Sequence, residues 1–351
     1  MRSWGSSEAS PAFQGLFMDD PAIGYRLRPG AQTRFTTSEF SASIAINDQG
    51  VRDERPIGPK PRGERRIVVL GDSLVLSVLV DPELTFTALL EQRLNTTAPA
   101  GQRYRVINAG VQGYGPIEEL LFFRTVVRHF EPDVVLVGLF VGNDAEEAVI
   151  SEPKLRGDQR PLTESVREDM VVGLRRLVRR SMVLQVLRLR ATAVAERLRP
   201  RRMALEPPLQ SYAASPAPRI ARGIEITTRT VDEIAAEAAA VGARTGILLM
   251  PARFQVDDAD YGRLREIVRQ AGGELIRDAA TERFSDAFRS LPLPWLDLLP
   301  ALRRALPGPH LFYLETVHFT PRGHEVVAEA LEHFLLLDSD LLEPPPGPTG
   351  R

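Results

Sequence analysis

Continuous apolar runs that end in glycine or a small polar residue recur along this chain. Ile67-Val68-Val69-Leu70 runs without polar alternation into Gly71-Asp72-Ser73. Such a run predicts a strand that is buried on both faces of a parallel sheet. The spacing of apolar residues then becomes helical between residues 84 and 94, so Ser73 is expected on the turn from this strand to a helix.

The same alternation of strand and helix continues toward the carboxyl terminus. Further strands are predicted at residues 104–108, 133–141, 245–250 and 295–298. Helices are predicted at about 116–129, 222–241, 260–272 and 321–336. Strands separated by helices pair in parallel through right-handed crossovers. The predicted fold class is therefore α/β: a three-layer α/β/α sandwich of the flavodoxin-like kind, with a five-stranded parallel sheet in the order 2-1-3-4-5.

Composition divides the chain around this predicted core. Residues 1–20 are small and polar, and we expect a flexible tail there. Residues 21–63 contain short alternating runs, turn signals and a proline-rich linker, which predict an amino-terminal β extension. The α/β domain is expected over residues 64–337, and residues 151–220 are too long for a simple crossover. The proline- and glycine-rich residues 338–351 predict a disordered tail.

The insertion is rich in arginine. Residues 170–202 hold ten arginines and one acidic residue, Glu196. We interpret the segment as a helical lid whose apolar side packs on the domain; the alternative is an interfacial helix that meets anionic lipid at a membrane surface, or an acidic partner. The formal net charge of the whole chain is −2, which gives no indication of nucleic-acid binding.

Residue usage narrows the chemistry further. The 351 residues include no cysteine, which excludes disulfides, zinc–thiolate sites and thiol nucleophiles. The start of the chain lacks the apolar core of a signal peptide, and no stretch approaches the roughly 20 apolar residues of a membrane span. We expect a soluble protein, cytoplasmic by default and exported if an export segment has been trimmed away.

A nucleophilic serine needs a base within hydrogen-bonding reach, and the base needs an orienting group. His318 follows Glu315 by three residues, and Thr320-Pro321 fits the cap and first position of a helix. His318 is therefore expected on the loop before that helix, where the Glu315 carboxylate can hold one imidazole nitrogen. The remaining histidines are predicted on helices or in a Pro/Gly loop. His324-Glu325 begins a zinc motif, but position 328 is Ala, so no metal site is predicted.

Acyl chemistry also needs donors for the developing oxyanion. The expected donors are the backbone N–H groups of Ser73 and Gly113 and the side-chain amide of Asn143, because the loops after strands one, two and three meet at one edge of the sheet. Each residue has a simpler interpretation as well. Gly71-Asp72-Ser73 and Gly113 could be plain turns, Asn143-Asp144 a helix cap, and Glu315 with His318 an ordinary loop pair.

Four short motifs stand in one order along the chain, each at the predicted end of an element: Gly71-Asp72-Ser73-Leu74, Asn108 with Gly113, Gly142-Asn143-Asp144, and Glu315-x-x-His318. This order resembles the four blocks of the GDSL, or SGNH, hydrolase superfamily, over about residues 66–337. The resemblance implies a serine hydrolase that cleaves carboxylic esters through an acyl-enzyme, without metal or cofactor. It implies Ser73 as nucleophile and oxyanion donor, Gly113 and Asn143 as further donors, and His318 as base.

One position departs from the superfamily pattern. The family usually has Asp three residues before the catalytic His, and this chain has Glu315. Glu serves as the orienting acid in other Ser-His hydrolases, so we expect a Ser-His-Glu triad, with Asp297 as the fallback acid. The stretch from Ile46 to Asp53 is similar to a lead-in of a bacterial branch, some of whose members act on acylated polysaccharides. O-acyl or O-acetyl esters of a glycan or lipid are the expected substrates.

Other functions stay open at this stage. An acyltransferase or thioesterase would use the same residues, and a degenerate module that binds acylated glycans would fit the departure at Glu315. An α/β-hydrolase is disfavoured because position 75 is Val, not the Gly of a Gly-x-Ser-x-Gly turn. The glycines at 110, 113 and 115 do not have dinucleotide-binding spacing.

Overall fold

The structure is a computed structural model that describes residues 11–37, 39–156, 207–270, 272–314 and 316–343. The described strands, in chain order, are β1 (Phe17–Asp20), β2 (Gly24–Leu27), β3 (Gln32–Thr36), β4 (Ser41–Ala45), β5 (Glu64–Gly71), β6 (Arg103–Gly110), β7 (Val134–Phe140), β8 (Arg244–Met250) and β9 (Trp295–Asp297). The described α-helices are α1 (Pro11–Gln14), α2 (Ser73–Leu76), α3 (Phe86–Thr97), α4 (Pro116–Thr125), α5 (Asp144–Ser151), α6 (Pro207–Gln210), α7 (Pro218–Ala240), α8 (Arg253–Val256), α9 (Asp258–Gln270), α10 (Ala279–Phe288), α11 (Leu299–Arg304) and α12 (Pro321–His333).

Five parallel strands form the central sheet in the order β6-β5-β7-β8-β9. Counted among these five strands, this is the order 2-1-3-4-5, which confirms the predicted flavodoxin-like arrangement. β5 lies between β6 and β7, and its apolar residues from 67 to 70 are completely buried. A strand covered on both faces has no polar side to present, which explains its continuous apolar run.

Helices flank the sheet in two groups. The connection from β5 to β6 runs in one direction across the sheet, and the connection from β6 to β7 runs back, so right-handed crossovers place α3 and α4 on opposite faces. α3 packs with α12, whereas α4 packs with α5 and α7. The result is the predicted three-layer sandwich. Within the described residues, no helix is long and apolar enough to cross a membrane.

Three glycines occupy one line across the central strands. Gly71 pairs with Gly110 on one side and with Gly138 on the other. A Cβ on Gly71 would lie 2.3 Å from Val75 Cγ2, and a Cβ on Gly110 would lie 2.3 Å from the backbone nitrogen of Leu76. The turn that carries Ser73 therefore folds back onto the sheet through space that only glycines leave open.

The amino-terminal extension consists of two antiparallel pairs, β1 with β2 and β3 with β4. Residues 11–20, which we predicted to belong to a flexible tail, form α1 and β1 instead. Phe13, Leu16 and Phe17 are buried and join the main hydrophobic core. The prediction was wrong for these residues because three apolar side chains among small polar neighbours are enough to anchor a short segment.

The carboxyl-terminal boundary also differs from the prediction. After the π-helical turn Phe334–Asp338, the chain packs back along the domain, and Leu341 is buried next to Gly246. Arg244 Nη1 donates to the Asp340 carbonyl at 2.6 Å. Residues 338–343 are thus part of the packed domain, not of a disordered tail. The arginine-rich residues 170–202 and residues 344–351 lie outside the described residues.

The close contact at Gly110 predicts the effect of a methyl group there. Gly110→Ala should destabilise the protein by about 1–3 kcal/mol, because the new Cβ must displace the backbone of the Ser73 turn. Gly262→Ala is the matched control, since Gly262 lies within α9 and a Cβ there would meet nothing within 4 Å. The control should stabilise by about 0.5–1 kcal/mol. Urea unfolding of both variants measures the difference, and equal midpoints would contradict the close-contact account.

Candidate active site

The candidate nucleophile begins a single helical turn. Ser73 is buried, with 8% of its surface exposed, and is the first residue of α2. Asp72 caps this helix, since its Oδ1 accepts a hydrogen bond from the Leu74 N–H at 2.8 Å. The turn closes where the Ser77 N–H donates to the Ser73 carbonyl at 2.9 Å, and Ser77 has left-handed φ of 59°. The predicted turn from strand to helix is therefore present at Ser73.

The loop after β6 carries Gly113. The Val111 N–H donates to the Gly71 carbonyl at 2.9 Å, which holds the start of this loop against the end of β5. Gly113 has φ of 71° and is exposed at the surface of the site. Tyr25, from the amino-terminal extension, donates its hydroxyl hydrogen to the Gln112 carbonyl at 2.7 Å. A Cβ on Gly113 would lie 2.9 Å from that hydroxyl, so a glycine is required both for the backbone angle and for the space.

The loop after β7 carries Asn143 at the cap position of α5, but its side chain does not cap that helix. Instead, Asn143 Nδ2 donates to Glu147 Oε1 at 2.8 Å. The Asn143 side chain also interacts with the carboxyl of Asp72, the residue before Ser73. The simple interpretation of Asn143 as a capping side chain is thus not what the structure has, and the amide lies beside the Ser73 turn.

His318 lies on the loop that precedes α12. Thr320 caps α12 and accepts a hydrogen bond from the Gly323 N–H at 3.2 Å, as the sequence predicted. The Tyr313 N–H donates to the His318 carbonyl at 3.0 Å, and the Tyr313 hydroxyl donates to the Leu79 carbonyl at 3.0 Å. The His318 loop is therefore attached to the segment that directly follows the Ser73 turn.

Two residues, Glu315 and Asp297, are candidates for the acid that orients His318. Glu315 lies outside the described residues. Asp297, the fallback acid, ends β9 at the edge of the sheet, and its Oδ1 accepts from the Leu299 N–H at 2.9 Å. This hydrogen bond holds the start of α11. In the described ranges, no group of three or more histidine, aspartate or glutamate residues is placed to hold a metal ion.

The side chains of His318 and His324 are shielded from solvent. Burial lowers the pKa of His318 to about 4. His324 lies nearby and stacks on Phe86 with ring centroids 5.9 Å apart. Burial, together with the charges of Arg52 and His318, lowers the pKa of His324 to about 3. Both imidazoles are therefore neutral near pH 7, and a neutral imidazole can accept a proton.

A group of buried carboxyls surrounds Asp72. Two of its members, Glu119 and Glu147, were not predicted from the sequence. Burial raises the pKa of Asp72 to about 7, although hydrogen bonds from the Leu74 N–H and the Asn143 side chain oppose the rise. Burial, followed by the charge of Asp72, raises the pKa values of Glu119, Asp144 and Glu147 well above their ordinary values. In the sequence, these acids lie in the first turns of α4 and α5. Acidic residues are common at the start of ordinary helices, so their positions did not indicate a buried group.

Comparisons with known proteins rest on structure alone, since no family model and no curated protein matches the chain. A lipase/acylhydrolase from Enterococcus faecalis is 14% identical with a TM-score of 0.42, covering 77% of this chain and 94% of that one. A putative lipolytic protein of the G-D-S-L family from Desulfitobacterium hafniense is 13% identical with a TM-score of 0.40, covering 77% and 99%. A catalytic variant of Axe2, an acetylxylan esterase from Geobacillus stearothermophilus, is 13% identical with a TM-score of 0.40, covering 76% and 92%.

The buried carboxyls predict a pH-dependent stability. Burial raises the pKa of Glu119 in the folded protein well above the ordinary value for a glutamate. The stability that comes from burying the neutral acid is therefore fully present below the pKa of the unfolded chain, and it is lost as pH rises through the folded pKa. Glu119→Gln keeps the shape of the neutral acid and removes the titration. Urea unfolding at about pH 5 and about pH 8 should show the variant gaining stability over wild type as pH rises.

Glu329→Gln is the control for this measurement, because Glu329 is exposed on α12. Its stability relative to wild type should be the same at both pH values. A Glu119→Gln difference that also stays constant with pH would contradict a raised pKa at Glu119.

Proposed function

We propose that this protein is a serine hydrolase that cleaves carboxylic esters, with Ser73 as the nucleophile and His318 as the base. The observation that carries the proposal is the meeting of four segments at the carboxyl edge of the sheet. The Ser73 turn is joined to the Gly113 loop through the Val111–Gly71 hydrogen bond and to Asn143 through Asp72. The His318 loop is joined to the same turn through Tyr313 and Leu79.

Each residue has a part in the proposed reaction. Ser73 Oγ attacks the ester carbonyl carbon while the His318 imidazole takes the hydroxyl proton. The negative charge that develops on the carbonyl oxygen is stabilised by the backbone N–H groups of Ser73 and Gly113 and by Asn143 Nδ2. The amide nitrogen of Asn143 carries two hydrogens, and its side chain already contacts both Asp72 and Glu147, so one of these contacts gives way when it donates to an oxyanion.

The second half of the reaction releases the acyl group. His318 returns its proton to the leaving alcohol, and the acyl group stays on Ser73 Oγ as an ester. Water then attacks this acyl-enzyme with His318 again as base, which yields the free acid and restores the serine. Glu315 is proposed to orient the imidazole and to stabilise its protonated form. With an acceptor hydroxyl in place of water, the same site would be an acyltransferase. With a thioester in place of the ester, it would be a thioesterase.

The substrate class is proposed from the sequence motifs. O-acyl or O-acetyl esters of a glycan or lipid fit the similarity of the lead-in around Asn47 and Arg52 to a bacterial branch of the superfamily. We also propose that residues 170–202 make peripheral contact with a membrane surface. A panel of p-nitrophenyl esters of increasing acyl length, together with acetylated oligosaccharides, ranks these substrates directly.

The nucleophile is tested by substitution and by covalent labelling. Ser73→Ala should abolish hydrolysis of p-nitrophenyl acetate, because no other hydroxyl occupies the start of α2, and it should leave the fold intact. A fluorophosphonate probe should label wild type at Ser73, as read by peptide mass spectrometry. Ser290→Ala, at an exposed serine, should retain both turnover and labelling. Unchanged turnover in Ser73→Ala would refute the assignment, and binding of acylated glycans without labelling would favour the degenerate binding module.

The orienting acid is tested by comparing the two candidates. Glu315→Ala should lower kcat for the same ester, because an unoriented imidazole loses both its tautomer and its direction. Asp297→Ala should affect stability more than kcat, because Asp297 holds the start of α11. The two variants are compared at a temperature where both are folded. A larger fall in kcat for Asp297→Ala would reassign the acid.

A further inference from the structure

One arginine outside the proposed reaction reaches the turn that carries Ser73. Arg52 belongs to the amino-terminal β extension, after β4, and is buried, with 5% of its surface exposed. Its Nη1 donates to the Leu76 carbonyl at 2.7 Å and also to the Ser77 carbonyl. Its Nη2 donates to the Val80 carbonyl at 2.6 Å. A single guanidinium thus binds three backbone oxygens directly after the candidate nucleophile.

These bonds satisfy carbonyls that α2 itself leaves unpaired. The turn closes two helical hydrogen bonds, at the carbonyls of Asp72 and Ser73, and the carbonyls of its later residues need partners from elsewhere. Ser77 Oγ donates to the Leu74 carbonyl at 2.8 Å, and Asn108 Nδ2 donates to the Val75 carbonyl at 2.7 Å. Arg52 supplies a partner for the Leu76 carbonyl and binds the Ser77 carbonyl, which also accepts from the Val80 N–H at 3.4 Å.

The guanidinium is suited to this task in a way that an ammonium is not. Arginine presents two terminal nitrogens in a fixed plane, and here they bind carbonyls that point from different residues of the turn. Burial lowers the pKa of Arg52 to about 10, so the side chain keeps its charge near neutral pH. Charged donors form the stronger hydrogen bonds to carbonyl oxygens.

The backbone of Arg52 is fixed as well. The Arg52 N–H donates to the carbonyl of Asn108 at 3.2 Å, and the side chain of Asn108 holds Val75. Arg52 and Asn108 are therefore bonded to each other, and both bind carbonyls of the Ser73 turn. Other parts of the extension contact the neighbouring loops: Tyr25 binds the Gln112 carbonyl, and Glu39 Oε1 accepts from the Leu314 N–H at 2.9 Å.

We propose that Arg52 is a positioning residue of the active site, which fixes the orientation of the Ser73 turn by binding the carbonyls of Leu76, Ser77 and Val80. The inference rests on the proposed ester hydrolase function. It adds that the β extension is part of the catalytic apparatus and not merely a structural addition. Because a misplacement of about 1 Å at a reacting group can cost about 10²-fold in rate, loss of this clamp should appear in kcat.

Arg66 provides a matched control. It is as deeply buried as Arg52, with 1% of its surface exposed, and it also binds backbone carbonyls, those of Phe130 at 2.7 Å and Gly58 at 2.8 Å. It lies near the start of β5, at the opposite end of the strand from Ser73. Arg52→Lys and Arg66→Lys should therefore destabilise the fold to a similar degree, but only Arg52→Lys should change catalysis.

The experiment measures three quantities in each variant: the urea midpoint, kcat and KM for p-nitrophenyl acetate, and the rate constant of fluorophosphonate labelling. We expect Arg52→Lys to lower kcat and the labelling rate by about 10- to 100-fold with little change in KM. Arg66→Lys should retain wild-type kcat. In Arg52→Gly, millimolar guanidinium should restore part of the labelling rate, whereas methylammonium should not.

The outcomes separate this inference from the proposed function. If Arg52→Lys keeps wild-type kcat, or if both lysine variants lose kcat in proportion to their stability, Arg52 is only a structural residue. If Ser73→Ala keeps its turnover and wild type is not labelled at Ser73, the proposed function fails, whatever Arg52 does. A Ser73-dependent enzyme with an unaffected Arg52→Lys variant overturns the positioning role alone.

Discussion

The close approach of a one-turn helix to three neighbouring strands is the constraint on which the candidate active site depends. Gly71, Gly110 and Gly138 lie side by side, and Val75 packs into the space above Gly71 and Gly138. Without a side chain on any of them, the chain can reverse immediately after β5. Ser73 is thereby held at the sheet edge where the loops after β6 and β7 also begin, which is where open α/β sheets place their reactive groups.

A turn this short cannot pair all of its own backbone carbonyls in hydrogen bonds. Side chains around it supply the missing partners. A helix of three or four turns leaves backbone N–H and C=O groups unpaired only in its first and last turns. In α2 the first turn is also the last, so every residue is affected. Two partners lie within the turn itself, the side chains of Asp72 and Ser77. Two more come from distant parts of the chain, Asn108 on β6 and Arg52 in the amino-terminal extension. Burial makes these bonds obligatory, since an unpaired buried carbonyl costs free energy comparable to a lost hydrogen bond.

The sequence predicts the sheet well because its signal is local. A continuous apolar run such as residues 67–70 predicts a strand that is buried on both faces. The parallel topology then places the motif residues that follow the strands along one edge of the sheet. The contact of Tyr25 with Gln112 joins residues far apart in the chain, and no periodicity encodes such a pair. The same holds for Glu119 and Glu147, whose positions in first helical turns look like ordinary dipole-compensating acids until the fold buries them beside Asp72.

Burial of several carboxyls next to one another has a consequence for the site itself. Adjacent buried acids cannot all be charged, because each charge loses its hydration and repels its neighbours. The raised pKa values of Glu119, Asp144 and Glu147 mean that these carboxyls take up protons at a higher pH than exposed acids do, and a protonated acid can donate a hydrogen bond as well as accept one. Asp72 and Asn143 face this group, so the cap of the Ser73 turn and the proposed oxyanion amide share one electrostatic environment. The orientation of the Ser73 turn is thus coupled on one side to a charged guanidinium and on the other to this group of buried carboxyls.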